Sequence, residues 1–196
     1  MSCLLQEFYN REVTLVARDL LGMHLVRRIG DQRVSGVIVE TEAYRGEEDL
    51  ACHARHGKTP RTEVMYGRAG KAYVYFTYGM HWLFNVVCGE EGFPAAVLVR
   101  GILPVEGLEI IRQNRPGRSE PLWTNGPAKL TQALQVTGSL NGIDLTSPDG
   151  KLWIENGEPV PDSKVYTTAR VGLGATPEPW LSIPWRFNAV MTGIKR

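Results

Sequence analysis

Residues 71–87 read Lys-Ala-Tyr-Val-Tyr-Phe-Thr-Tyr-Gly-Met-His-Trp-Leu-Phe-Asn-Val-Val. Aromatic and β-branched side chains dominate Lys71 to Thr77, the composition of a strand. Side chains alternate along a strand, so Tyr73 and Tyr75 share one face and Val74 and Phe76 the other. Tyr78-Gly79-Met80 offers a turn, and Trp82 to Val87 a returning strand. The stretch is a β-hairpin with an aromatic and a methionine at its tip. With Tyr66 it holds four of the chain's seven tyrosines within thirteen residues. Such tyrosines can complete a core at a sheet edge. They can also stack on nucleic-acid bases while neighbouring Arg and Lys contact phosphates, and a bulky tip can enter a minor groove as a wedge.

Outward from the hairpin, Val13, Val16, Leu20 and Leu21 fall on a helical period, with Gly22 as its stop. His24 to Ile29 and Val34 to Glu42 read as strands joined through Gly30-Asp31. A helix is expected over Val105 to Gln113, with Leu108 and Ile111 inward. Another begins at Asn125-Gly126-Pro127, with Asn125 as cap and Pro127 in the first turn. It runs through Leu130 and Leu134 to a stop at Gly138. Short strands follow at Leu152 to Ile154, Val165 to Val171 and Arg186 to Val190, and residues 114–125 and 156–163 are loops. Short, irregularly spaced strands predict one mixed α/β (α+β) domain over residues 1–196, with a curved, mainly antiparallel sheet and flanking helices.

The 196 residues carry a net charge of +1, with 43% hydrophobic and 22% charged residues. These are ordinary globular values. Near-zero net charge excludes a coat of positive potential but not a local basic patch. Charge is uneven in one place. Glu40, Glu42, Glu47, Glu48 and Asp49 face only Arg45 over residues 40–50. Arg55, Lys58, Arg61, Arg68 and Lys71 then face only Glu63 over residues 53–72. The longest apolar run, Ala95 to Val99, is far below the roughly 20 residues of a membrane helix, so no membrane is expected. The N-terminus lacks the pattern of a secretory signal, and Cys3, Cys52 and Cys88 form no C-x-x-C pair. A reducing, cytoplasmic setting is expected.

Glu40 and Glu42 lie two apart on a strand, on one side, roughly 7 Å apart at Cα. Paired carboxylates can divide acid and base duties in glycosidic chemistry, or simply form a solvated face. The apolar neighbours Val37, Ile38, Val39 and Ala43 favour a buried strand. Cys52, His53 and His56 lack a second ligand pair of zinc spacing, so no metal is expected. There is no P-loop and no Gly-x-Ser-x-Gly elbow, and the Gly172-Leu173-Gly174 pair lacks a third glycine.

The strings Val39-Glu40-Thr41-Glu42-Ala43-Tyr44, Ala51-Cys52-His53, Thr59-Pro60-Arg61 and Tyr73 to Met80 occur in order. Asn85, Val97-Leu98-Val99-Arg100, Gly126-Pro127-Ala128-Lys129-Leu130 and Ala169-Arg170-Val171-Gly172 follow. Together they resemble the alkyladenine (3-methyladenine) DNA glycosylase family across nearly the whole chain. The resemblance implies a compact fold whose hairpin enters the minor groove of duplex DNA. It implies base excision repair, in which a damaged purine is flipped out and its N-glycosidic bond hydrolysed without a cofactor or metal. A monomer is expected, and a short chain without a long basic tail fits a bacterial protein.

Carried over by position, Glu42 matches the catalytic carboxylate and Arg100 the arginine that helps to hold the attacking water. Tyr44, His53 and Tyr75 match the walls that sandwich the flipped base, and Asn85 the position that rejects guanine. Tyr78 matches the wedge, flanked in the groove by Met80 and His81. Thr59 and Arg61 are candidate phosphate contacts, with Lys58, Arg55 and Lys129 behind them. Glu40 is expected to be an ion-pair partner rather than the base. The competing readings are a non-catalytic nucleic-acid binding module on the same scaffold, a hydrolase of free nucleosides or small glycosides, and a lyase using Lys71 or Lys129.

Overall fold

The computed structural model describes residues 2–190. Met1 and residues 191–196, part of the expected 1–196 domain, lie outside the described residues. Among the described residues eight strands form one sheet: β1 (His24–Ile29), β2 (Gln32–Arg45), β3 (Ala72–Thr77), β4 (His81–Val87), β5 (Ala95–Glu106), β6 (Leu152–Glu155), β7 (Val165–Thr168) and β8 (Arg186–Ala189). The order along the sheet is β3-β4-β5-β2-β1-β6, while β8 joins β2 and carries β7. Every pairing is antiparallel. Among the described residues there are four short α-helices: α1 (Gln6–Tyr9), α2 (Val13–Asp19), α3 (Leu108–Asn114) and α4 (Pro127–Ala133). With helices beside an antiparallel sheet, the α+β expectation holds.

The spine is β2. It outruns the expected Val34 to Glu42 because it pairs with β1 through its first half, with β5 over most of its length, and with β8 at Glu40 to Glu42. β5 is the strand that the sequence pattern hides. Its apolar run Ala95 to Val99 has no alternation, since it is covered on both faces. Val105 and Glu106 finish β5 rather than opening a helix. α3 starts only beyond Gly107, which takes φ +68 and would press a Cβ to 2.8 Å from Val34. Leu108, expected inward, is exposed, and Ile111 alone of the expected pair reaches the core.

Three further ends differ from expectation for local reasons. Asn125 does not cap α4: Gly126 holds that place, and the Asn125 amide oxygen accepts from Lys129 Nζ at 2.9 Å. α4 stops at Ala133, and Gln135 takes the left-handed turn at φ +50. Gly138 serves packing instead, because a Cβ there would lie 2.5 Å from the Trp82 indole. β7 ends at Thr168, where the chain leaves the sheet to bury Arg170.

The main core packs Leu20, Leu21, Ile38, Phe84, Val97 and Leu130 between sheet and helices. A smaller cluster of Cys52, Ala54, Met65, Tyr73, Val87 and Ala96 lies beside it. The predicted hairpin is β3 and β4, paired Tyr73 to Asn85 and Thr77 to His81. Tyr78 and Gly79 turn the chain with φ +51 and +68. Trp82, one pair from the turn, tilts against Phe76 at 4.8 Å between ring centroids, while its carbonyl accepts from Thr131 Oγ1 on α4 and ties the hairpin to that helix. Among the described residues no helix is long and apolar enough to cross a membrane.

Candidate active site

A cavity of about 330 Å³ opens beside the hairpin. Tyr44 from β2, Tyr73, Tyr75 and Thr77 from β3, Asn85 from β4, and Leu98 and Arg100 from β5 line it. The 51–53 turn adds His53, the hairpin tip adds Tyr78, and the loop after β7 adds Val171, Gly172 and Leu173. Tyr44, His53, Tyr75, Asn85, Arg100 and Tyr78, singled out on sequence, therefore meet in one place. Among the lining residues there is no lysine.

Glu42 lies just behind this lining, fully buried, yet bonded to three groups that line the cavity. Its Oε1 accepts the Val171 N–H at 2.7 Å and lies 3.4 Å from Arg100 Nη1. Its Oε2 accepts the Tyr44 hydroxyl at 2.9 Å. A carboxylate offers about four acceptor positions, so one remains, on the oxygen beside Tyr44. Burial raises the Glu42 carboxyl above its ordinary value of 4.5. Arg100, the Val171 N–H and Tyr44 pull it back without cancelling the rise. A carboxylate poised in this way suits proton transfer better than an exposed one does.

A bulge delivers Arg100. In the β2–β5 ladder Glu40 pairs with Gly101 and Thr41 with Val99, so Arg100 is the extra residue. Bulges re-aim side chains. Here Arg100 joins Glu40 at 2.7 Å as well as Glu42, and Glu40 in turn meets Arg186 Nε at 3.1 Å. Glu40 is thus an ion-pair partner, as expected. Burial works against the Arg100 charge, but Glu42 and Glu40 outweigh it and hold its pKa up.

His53 opens a short 3-10 turn and stands edge-on to Tyr75 at 4.5 Å, with Nδ1 2.9 Å from the Tyr73 hydroxyl. Desolvation first, then the Arg61 and Arg55 charges, push it down to about 4. It is a neutral wall at physiological pH. Asn85 is buried and donates its Nδ2 to the Tyr73 carbonyl at 3.1 Å. Tyr78, 79% exposed, and Met80, 68% exposed, crown the hairpin, and His81 is exposed beside them.

Thr59 and Arg61 are not among the lining residues. Thr59 closes its own turn, with its N–H donating to Thr62 Oγ1 at 2.9 Å. The Arg61 guanidinium sits 5.0 Å from the Tyr75 ring centroid. Lys58 pairs with Glu63 at 3.4 Å, and Lys71 with Asp144 at 3.2 Å. Among the described residues no three His, Cys, Asp or Glu side chains gather to hold a metal.

Sequence reasoning missed the Val171 N–H and Tyr73. Tyr73 was within reach, since it shares the strand face of Tyr75. A backbone N–H that reaches a carboxylate 129 positions earlier leaves no trace in residue type.

The methylpurine-DNA glycosylase family model matches residues 7–191. A protein of Carboxydothermus hydrogenoformans is 50% identical over 183 residues, covering 93% of this chain and 92% of its own. One from Desulfitobacterium hafniense is 49% identical over 191 residues, with 93% and 92% covered. One from Methanocella arvoryzae is 46% identical over 188 residues, with 95% and 92% covered. All three carry the name "Putative 3-methyladenine DNA glycosylase". With a match of that extent over the chain that builds this tyrosine-walled cavity, the protein belongs to the methylpurine-DNA glycosylase family.

Proposed function

We propose that this protein is a monofunctional DNA glycosylase of base excision repair. It takes alkylated or deaminated purines, the class of 3-methyladenine, 7-methylguanine, hypoxanthine and ethenoadenine, out of duplex DNA and leaves an abasic site. The carrying observation is Glu42: a buried carboxylate with a raised pKa, held by Tyr44, Val171 and Arg100 at the edge of an aromatic cavity.

In this reading the purine enters between Tyr44, His53 and Tyr75. Alkylation at N3 or N7 makes the ring cationic, and a cation over an aromatic face gains about 0.5–2 kcal/mol. A neutral His53 adds no repulsion to that guest. The open acceptor position of Glu42 takes a water, with Arg100 as its second holder. As the N-glycosidic bond breaks, its electron pair leaves with the purine. The water oxygen bonds to C1′, Glu42 receives the proton, and the negative charge of the carboxylate favours the oxocarbenium-like transition state. A cationic base departs neutral and needs no acid. Tyr78 fills the gap in the stack, with Met80 and His81 in the groove and Thr59 and Arg61 toward phosphates. Asn85 crowds the 2-amino group of guanine.

Water rather than an amine is the nucleophile in this reading. Lys129 is tied to Asn125 and Lys71 to Asp144, and neither lines the cavity. The desolvated acid also argues against a passive binding module, which gains nothing from burying a carboxylate. The test uses duplex oligonucleotides with single defined lesions, alkali to reveal abasic sites, a chelator arm and a borohydride arm. Alkali-dependent cleavage at the lesion that survives chelator and traps no covalent adduct is expected. No cleavage at any lesion, or a trapped adduct, overturns the reading.

A further inference from the structure

We propose that Arg170, locked to Asp49, is a positioning residue that holds Glu42 in place through both Tyr44 and the Val171 N–H. The inference rests on the role of Glu42 proposed above. The pair is fully buried and bidentate, with Nη1 at 2.5 Å and Nη2 at 2.9 Å from the two Asp49 oxygens. Nη1 also donates to the Ala43 carbonyl at 2.9 Å and Nη2 to the Trp180 carbonyl at 3.1 Å. The guanidinium therefore cannot rotate.

Three parts of the cavity hang from this pair. The guanidinium lies 4.7 Å from the Tyr44 ring centroid and is not among the cavity-lining groups, so it backs the ring whose hydroxyl holds Glu42 Oε2. Arg170 precedes Val171, whose N–H holds Glu42 Oε1. Asp49 accepts the backbone N–H groups of Arg45 and Ala51, fixing the turn that leads to His53. Two of the three groups holding Glu42 thus depend on one side chain.

The arrangement is poor as mere filler. Arg170 Nε is buried without a hydrogen-bond partner. Buried pairs of this kind are often no more stable than well-packed apolar side chains, so a geometric duty is the better account. An apolar side chain would fill the space but could neither grip two carbonyls and a carboxylate nor fix the direction of the next N–H.

Besides the Tyr44 hydroxyl, which burial keeps neutral, the charges that face Glu42 come from β2 (Glu40), from β5 (Arg100) and from β8 (Arg186, which is in register with it). None of them changes in Arg170→Lys, which keeps a cation for Asp49 and loses the planar fork. Glu42 would then lose donor contact, and its titration, read by carbon-13 NMR of labelled glutamate in the free protein, should move up by about half a pH unit or more. Single-turnover base release should fall about ten-fold or more, with its acidic limb displaced in the same direction. Affinity for abasic-site DNA should stay within about three-fold, since the phosphate contacts that dominate binding are untouched. A merely structural role would lower the melting temperature and leave the Glu42 titration where it was, and that result overturns the proposal. If Arg170→Lys does not fold, Asp49→Asn keeps the partner's shape and is read in the same way. If the wild type releases no purine, the functional reading fails, and the NMR titration still decides the positioning.

Discussion

The Arg100 guanidinium reaches Glu42 at 3.4 Å because Arg100 is the surplus residue of a bulge between β2 and β5. In a regular ladder, Glu40 and Thr41 would face consecutive residues of β5. The skip from Gly101 to Val99 leaves Arg100 outside the pairing, where it can serve Glu40 and Glu42 at once. The proposed mechanism depends on this irregularity, and four predictions start from the groups around it.

Glu42→Gln should abolish base release while leaving binding to lesion DNA intact. The amide fits the site: Oε1 keeps Val171 and Arg100, and Nε2 donates to a Tyr44 hydroxyl that becomes an acceptor. The variant should also melt higher. Burial raises the folded pKa above the unfolded one, so the folded state favours neutral Glu42. That contribution is present below the unfolded pKa and is lost as pH rises through the folded pKa. At neutral pH the charged form therefore costs stability, and a neutral isostere should recover that cost as a higher Tm. Calorimetry beside a gel-based cleavage assay reads both. An active Glu42→Gln with a dead Glu40→Gln would reverse the assignment of the two carboxylates.

The rate of base release against pH should fall on the acid side along a limb that lies above 4.5, because Glu42 must be ionised to accept a proton and burial raises it. His53 should contribute no break near its ordinary 6.5, since it is held down to about 4. Single-turnover rates on a permanently cationic lesion isolate these limbs from protonation of the leaving base. A break that persists in Glu42→Asp but vanishes in His53→Phe would contradict the assignment.

Tyr78→Ala should weaken binding to lesion-bearing duplex by about 1–3 kcal/mol, the scale of one aromatic stack. Stability should change by less than about 0.5 kcal/mol, because the ring is exposed and touches no core. Release from a lesion in single-stranded DNA should suffer less than release from duplex. Equal losses on both substrates would remove the wedge role.

Asn85→Ala should raise release of normal guanine relative to damaged purines, read as the ratio of abasic sites formed in undamaged and lesion-bearing duplexes. It should also cost about 1 kcal/mol of stability, since the bond from Asn85 to the Tyr73 carbonyl is lost inside the protein. An unchanged ratio would leave Asn85 as a strand residue and nothing more.

Much of the molecule was legible before the fold. Tyr73 and Tyr75 alternate with Val74 and Phe76, and the structure places the first pair on the cavity and Val74 in the core. Glu40 and Glu42 share a side, and both meet Arg100. Leu108 was placed inward by helical period and Gly138 as a helix stop by residue type, and neither signal carries tertiary contacts. Where α3 begins was decided by Gly107 against Val34, and the role of Gly138 by an indole packed against it.

What residue order determined is the local inventory: an aromatic hairpin with a turn at Tyr78-Gly79, a strand bearing two carboxylates, and a basic stretch after them. These follow from side-chain size, branching and alternation, which act over a few residues. Tertiary structure decided which of these groups meet. The bulge that frees Arg100, the Val171 N–H on Glu42 and the Arg170–Asp49 pair join positions 60, 129 and 121 residues apart. No local pattern encodes such meetings, because burial and the geometry of the whole sheet select them.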